Sequence, residues 1–269
     1  MARERKVIQV VSPYPVIEGA GVRLRRVIPG RDLDFPDPFL LLDHFGSDDP
    51  ADYLAGFPMH PHRGIETVTY MLEGEVRHKD TLGNEGVISG GDVQWMTAGG
   101  GILHEEMPGP REGRMYGFQL WVNLPASLKM SPPRYQEIPG STIPVVTPDD
   151  GSTLRIIAGE YEGVTGPVTE IAARPTYLDV SLKGGKTFSG PTEKGHACLA
   201  YVFEGGGALG ADGARVDAPG LAVLGDGGSI AVKAGGEGCR FLLFSGRPRG
   251  EPIVRHGPFV MNTEAQIEE

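Results

Sequence analysis

His60 and His62 stand two residues apart in the run Gly56-Phe57-Pro58-Met59-His60-Pro61-His62-Arg63-Gly64-Ile65-Glu66. On an extended strand, side chains two apart leave from the same face, so both imidazoles can reach one metal ion. Downstream, Gly99-Gly100-Gly101-Ile102-Leu103-His104-Glu105-Glu106 offers His104 and Glu106 at the same spacing, with Glu105 directed to the other face. Two such strands converging inside a barrel could set three imidazoles and one carboxylate around a divalent ion. A six-coordinate metal would then keep up to two positions open, as a catalytic centre does. Any one of these histidines is explained as well by a surface position or by a hydrogen-bonded polar plug. The set is not, because Pro61 between two of them can neither donate to a ladder nor stabilise a central strand.

Such pairs need strands to carry them, and the chain reads as all-β. Its 41 glycines and 23 prolines are not clustered but fall between short apolar runs such as Val68-Thr69-Tyr70-Met71-Leu72 and Phe241-Leu242-Leu243-Phe244, the punctuation of many strands joined by tight turns. The exception is Thr263-Glu264-Ala265-Gln266, which has capping-box spacing and predicts a short C-terminal helix. Tyr70-Met71-Leu72-Glu73-Gly74 is echoed by Tyr201-Val202-Phe203-Glu204-Gly205, and Gly91-Asp92-Val93-Gln94-Trp95 more loosely by Gly220-Leu221-Ala222-Val223-Leu224, which points to a duplicated barrel. The length of 269 residues suits two domains. The strand pattern lapses from Ser131-Pro132-Pro133 to Pro139-Gly140, so the expected domains are residues 1–135, carrying the metal ligands, and 136–269. The offset of the repeat carries His60 and His62 onto Pro191 and Glu193, and His196 has no same-face histidine partner. The second barrel is therefore expected to bind no metal.

Composition narrows the remaining classes. No apolar stretch approaches the roughly 20 residues of a bilayer span and no signal-like segment opens the sequence, so no membrane association and a cytoplasmic location are expected. Cys198 and Cys239, each inside an apolar run, read as buried reduced thiols. A formal net charge of -10 repels phosphate backbones and argues against autonomous nucleic-acid binding. In the basic cluster Arg23, Arg25, Arg26 and Arg31, alternation with Val22 and Leu24 makes Arg23 and Arg25 the solvent face of a strand. Gly205-Gly206-Gly207-Ala208-Leu209-Gly210 matches a dinucleotide-binding spacing, but the turn-like Ala211-Asp212-Gly213 follows where a helix would have to start.

The run from His60 through Tyr70 to Leu72-Glu73-Gly74 resembles the first signature of the pirin family within the cupin superfamily. The run from Gly91-Asp92-Val93-Gln94-Trp95-Met96-Thr97-Ala98-Gly99 to His104-Glu105-Glu106-Met107-Pro108 resembles the second. Asp37 to Asp43, Leu120 to Pro125 and Gly257 to Thr263 are similar to flanking pirin segments, so the likeness spans nearly the whole chain. The resemblance implies two consecutive cupin jelly-roll barrels with a short C-terminal helix. It also implies one divalent metal, iron(II), held by His60, His62, His104 and Glu106 in the first barrel. Nitrogen and oxygen donors do not by themselves choose among iron, manganese, nickel, copper and zinc. General cupins more often use a glutamate shortly after the His-x-His pair, which here is Glu66; parity along a regular strand would also turn it inward, as rival fourth ligand or outer partner.

The implied activity is a quercetin 2,3-dioxygenase-like oxidoreductase acting on a small aromatic flavonol and O2. Glu106, or Glu66 if it is not a ligand, would be the general base, and Phe57, Met59 and Met96 would line the entrance. The alternative implied by the same resemblance is a non-enzymatic, redox-sensitive iron protein that binds a transcription factor or metabolic enzyme.

Overall fold

The apolar runs Val68–Leu72 and Phe241–Phe244 lie within strands of the computed structural model, Ile65–Glu73 and Ser229–Gly246; the structure describes residues 3–109 and 113–269. The described residues form two cupin-type β units and one short α-helix, Glu264–Glu268. That helix is closed by a capping box in which the Thr263 side chain accepts from the Gln266 backbone while the Gln266 side chain accepts from that of Thr263. No helix among the described residues is long and apolar enough to cross a membrane.

The first unit comprises Tyr14–Pro29, Pro38–Ser141 and Arg249–Glu269. Its larger sheet has seven strands in the order Arg134–Ile138, Val93–Thr97, Ile65–Glu73, Met115–Asn123, Phe39–Ser47, Val22–Ile28 and Tyr14–Glu18. The smaller sheet has four, Phe57–His62, Ile102–Pro108, Glu75–Asp80 and Glu85–Ser89. Phe57–His62 lies at the edge of that sheet, which is where Pro61, with no N–H to give, is tolerated. Cross-strand register stacks Thr69 beside Gln119 and Gln119 beside Asp43, so period-two alternation assigns Leu41, Asp43, Phe45, Thr69, Gln119 and Trp121 to one face. The other face carries Leu40, Leu42, Val68, Tyr70, Phe118 and Leu120, all buried.

The second unit comprises Met1–Pro13, Gly30–Asp37 and Thr142–Pro248, built on a nine-stranded sheet. Leu178, Val180, Ala200, Val202, Phe241 and Leu243 form the centre of its core. Cys198 and Cys239 are buried and unbridged, and burial pushes their thiols up to about 12 and about 11, which keeps them protonated and unreactive at neutral pH. The glycine-rich run that mimics a nucleotide motif lies largely within the strand Ala197–Leu209, with no helix after it.

The partition departs from the linear division at residue 135. The segment read as a lapse contains the strand Arg134–Ile138, paired along its length with Val93–Thr97, and the change of unit falls between Ser141 and Thr142. Both chain ends also belong to the unit remote from them in sequence. Val7–Val11 pairs with Gly220–Leu224, and the buried Arg5 guanidinium donates to Thr192 Oγ1 (2.8 Å) and to the carbonyls of Gly225 and Glu193 (2.7 Å each). Long-range strand pairing of this kind leaves no trace in local composition.

Candidate metal centre

The His-x-His strand and the strand Ile102–Pro108 run antiparallel with His60 opposite His104. Alternation then throws His60, His62 and His104 to one side, and their ring nitrogens gather within 4.8 Å of one another. The Nε2 atoms of His60 and His62 stand 3.1 Å apart. Cis donors each about 2.1 Å from one ion would be about 3 Å apart, so the spacing fits a shared metal. His60 Nδ1 lies 2.9 Å from the Pro58 carbonyl, which accepts from its N–H and leaves the Nε2 lone pair to face a metal. Both ring nitrogens of His104 are buried without a hydrogen-bond partner, a cost that a metal bond to one of them would relieve.

The electrostatics suit metal binding as well. Burial, then the neighbouring His104 and His60, hold His62 well below the usual histidine range. Burial is also the largest influence on His104, which is held down to about 4 although Glu106 pulls the other way. These two imidazoles are therefore neutral at physiological pH, the form that offers a lone pair.

Two glycine turns set this geometry. Gly99 and Gly64 have φ of +52° and +78°, and an added Cβ would strike the carbonyl oxygens of Ser131 and Val260 respectively. The Gly64 turn is tied down by the buried Lys129, whose ammonium donates to Gly64 O (2.9 Å), Asn123 Oδ1 (2.8 Å) and Val260 O (2.8 Å).

The two candidate glutamates part company. Glu106 faces the cavity beside the histidines but stands outside their cluster. Its Oε1 is 3.0 Å from Thr69 Oγ1, and its Oε2 accepts from Gln119 Nε2 at 3.3 Å. The Thr69 hydroxyl also lies 2.6 Å from Gln119 Oε1 and, having one proton, can donate to only one of the two oxygens at a time. Glu66 is not in the cavity. The turn at Gly64 interrupts the strand, resetting the parity that would have carried His62 onto Glu66, and Glu66 shares the face of Val68 and Tyr70, opposite Thr69. There it accepts from Thr97 Oγ1 at 2.9 Å, and burial raises its carboxyl to about 7. On that face it turns away from the cavity, and Thr97 holds it there.

The cavity has a volume of about 600 Å³ and mostly apolar walls. Phe57 lines it as expected; Met59 points to solvent, and Met96 is wholly buried away from it. Thr69, Gln119, Trp121 and Arg255 also line it; Thr69 and Trp121 lie inside pirin-like runs, but no spacing marks any of the four as a cavity residue, and cross-strand register and the return of the C-terminal segment bring them there. Arg23 and Arg25 are exposed as expected, whereas Arg26 is half-buried and clasps Asp43 through two bonds of 2.9 and 2.8 Å.

Two cupin units, with a histidine cluster of metal-binding spacing opening on a cavity in one of them, define a bicupin. Comparison with known proteins narrows the class. Residues 21–122 match the Pirin family model and residues 177–269 the Pirin C-terminal cupin domain. The chain is 50% identical to a pirin-like protein of Caulobacter vibrioides, covering 96% of this chain and 93% of the relative. It is 43% identical to human pirin over 99% of this chain and 91% of the relative. A crystal structure of quercetin 2,3-dioxygenase from Acinetobacter baumannii superposes with a TM-score of 0.91 at 38% identity, covering 98% of this chain and 94% of that one. The chain belongs to the pirin family.

Proposed function

We propose that the protein holds one iron(II) ion on His60, His62 and His104, with Glu106 as the carboxylate ligand, and catalyses the oxidative ring opening of a flavonol such as quercetin by O2. The observation that carries this reading is the gathering of three histidines with their ring nitrogens within 4.8 Å beside an apolar cavity of about 600 Å³. The likeness to the Acinetobacter baumannii enzyme supports the choice of substrate. When bound, the metal would act as a Lewis acid toward the flavonol 3-hydroxyl and neighbouring carbonyl and bring O2 beside the ring. Glu106, the cavity carboxylate beside the histidines, would accept the 3-hydroxyl proton, with Gln119 Nε2 bonding one of its oxygens and the Thr69 hydroxyl within reach of the other. Apolar walls of Leu24, Leu41, Phe57 and Trp121 would exclude water from the reacting ring. Anaerobic purification with elemental analysis, followed by an aerobic quercetin assay of wild type and His62→Ala, tests the proposal. Metal-dependent turnover lost in the variant is expected; metal-loaded protein without turnover would overturn it.

A second reading, a redox-sensitive regulator of a protein partner, draws on Met59 and Leu103, which alternate with His60 and His104 and are 42% and 46% exposed on the outer side of the same strands. Movement of the histidines would be felt on that face. A stoichiometric partner bound in one iron oxidation state only, without flavonol turnover, would favour it.

A further inference from the structure

The cavity has a second polar end. Trp121 stands edge-on to His62 with ring centroids 5.0 Å apart, and the Arg255 guanidinium carbon lies 5.0 Å over the Trp121 ring. All three residues line the same cavity. The indole thus touches a candidate metal ligand on one side and a cation on another.

The guanidinium is held where a ligand would meet it. Its Nε donates to the Gly257 carbonyl at 3.1 Å, and Gly257 and Pro258 continue the cavity wall. Arg26, on the same wall, is committed to neighbouring carboxylates, bonding both oxygens of Asp43 and pairing with Glu18 at 2.8 Å. Arg23 is paired with Asp52 at 3.3 Å, its side chain 69% exposed. Arg255 differs from these two in stacking on an aromatic ring that itself stands against His62, with Asp43 and Glu18 close enough to act on its charge. A guanidinium fork is matched to an oxygen anion or an acidic hydroxyl, and an indole face to a flat ring.

We infer that Arg255 and Trp121 form a second anchoring point, selecting planar aromatic substrates that carry an acidic oxygen on the side remote from the chelating pair. This rests on the flavonol reading and deepens it, since it names the substrate feature read away from the metal.

The test compares quercetin with 3-hydroxyflavone, which keeps the chelating 3-hydroxyl and carbonyl but lacks the outlying hydroxyls. Anaerobic calorimetry of metal-loaded wild type, Arg255→Met and Arg255→Lys gives both affinities, and aerobic kinetics give KM and kcat. Wild type is expected to prefer quercetin, and Arg255→Met to lose about tenfold of that preference, the loss falling in KM rather than kcat. Arg255→Lys keeps the charge without the fork and should fall between them, which keeps the test open if the methionine variant fails to fold. Equal weakening of both ligands, or no change in preference, would overturn the inference while leaving the dioxygenase reading intact. An Arg255-dependent preference without turnover in wild type would sink the dioxygenase reading and leave the anchor standing. Failure of either flavonol to bind loaded wild type would remove both.

Discussion

His62 is buried and held neutral, so replacing it removes a proposed ligand that needs no proton displaced before binding. His62→Ala should lower metal affinity by more than the roughly 10- to 100-fold typical of losing an outer hydrogen-bond partner, measured by equilibrium dialysis with elemental analysis. Thr69→Val, which takes away a partner of Glu106, should fall within that range. Glu66 gives a pH signature of its own. Its carboxyl is raised from 4.5 to about 7 by burial, so the folded state holds the proton more tightly than the unfolded chain. Its stabilising contribution is complete below pH 4.5 and is lost as pH rises through 7, at about 1.4 kcal/mol per pH unit and about 3 kcal/mol in all. Metal-free Glu66→Gln should therefore melt higher than wild type at pH 8 and show a flatter profile of Tm between pH 5 and 8.

The elements that present the proposed ligands are held by a polar clamp. Lys129→Met would leave Gly64 O, Val260 O and Asn123 Oδ1 without their buried donor, at a cost of about 3 kcal/mol in thermal unfolding. Metal affinity should fall with it, because the Gly64 turn follows directly on the strand bearing His60 and His62. Gly64→Ala meets both a left-handed backbone and the Val260 carbonyl and should be at least as damaging.

For the whole molecule, the crossing of the chain ends decides how it can be divided. A fragment of residues 1–135 would lack the segment Arg249–Glu269, including the Val260 carbonyl that meets Lys129 and the Phe259 that bridges to Arg63. It would also expose Val7–Val11 without its strand partner. Such a fragment should express as insoluble or molten material, seen as lost near-ultraviolet circular dichroism and no metal uptake beside full-length protein. Stable, metal-binding 1–135 would contradict this.

The β architecture, the duplication, the capped terminal helix and the same-face pairing of His60 with His62 are legible in residue order alone, because strand alternation and capping are local and written in spacing. The same-face spacing of His104 and Glu106 is local as well, and the likeness of the two signature runs to pirins favours Glu106 over Glu66 as the carboxylate. That Glu66 faces away emerges only in the folded chain, since one glycine turn resets parity without altering the spacing of letters. Folding likewise brings Thr69, Gln119, Trp121 and Arg255 to the cavity and sends each terminus to the remote unit, because cross-strand register and long-range pairing are settled by packing among segments far apart in the chain.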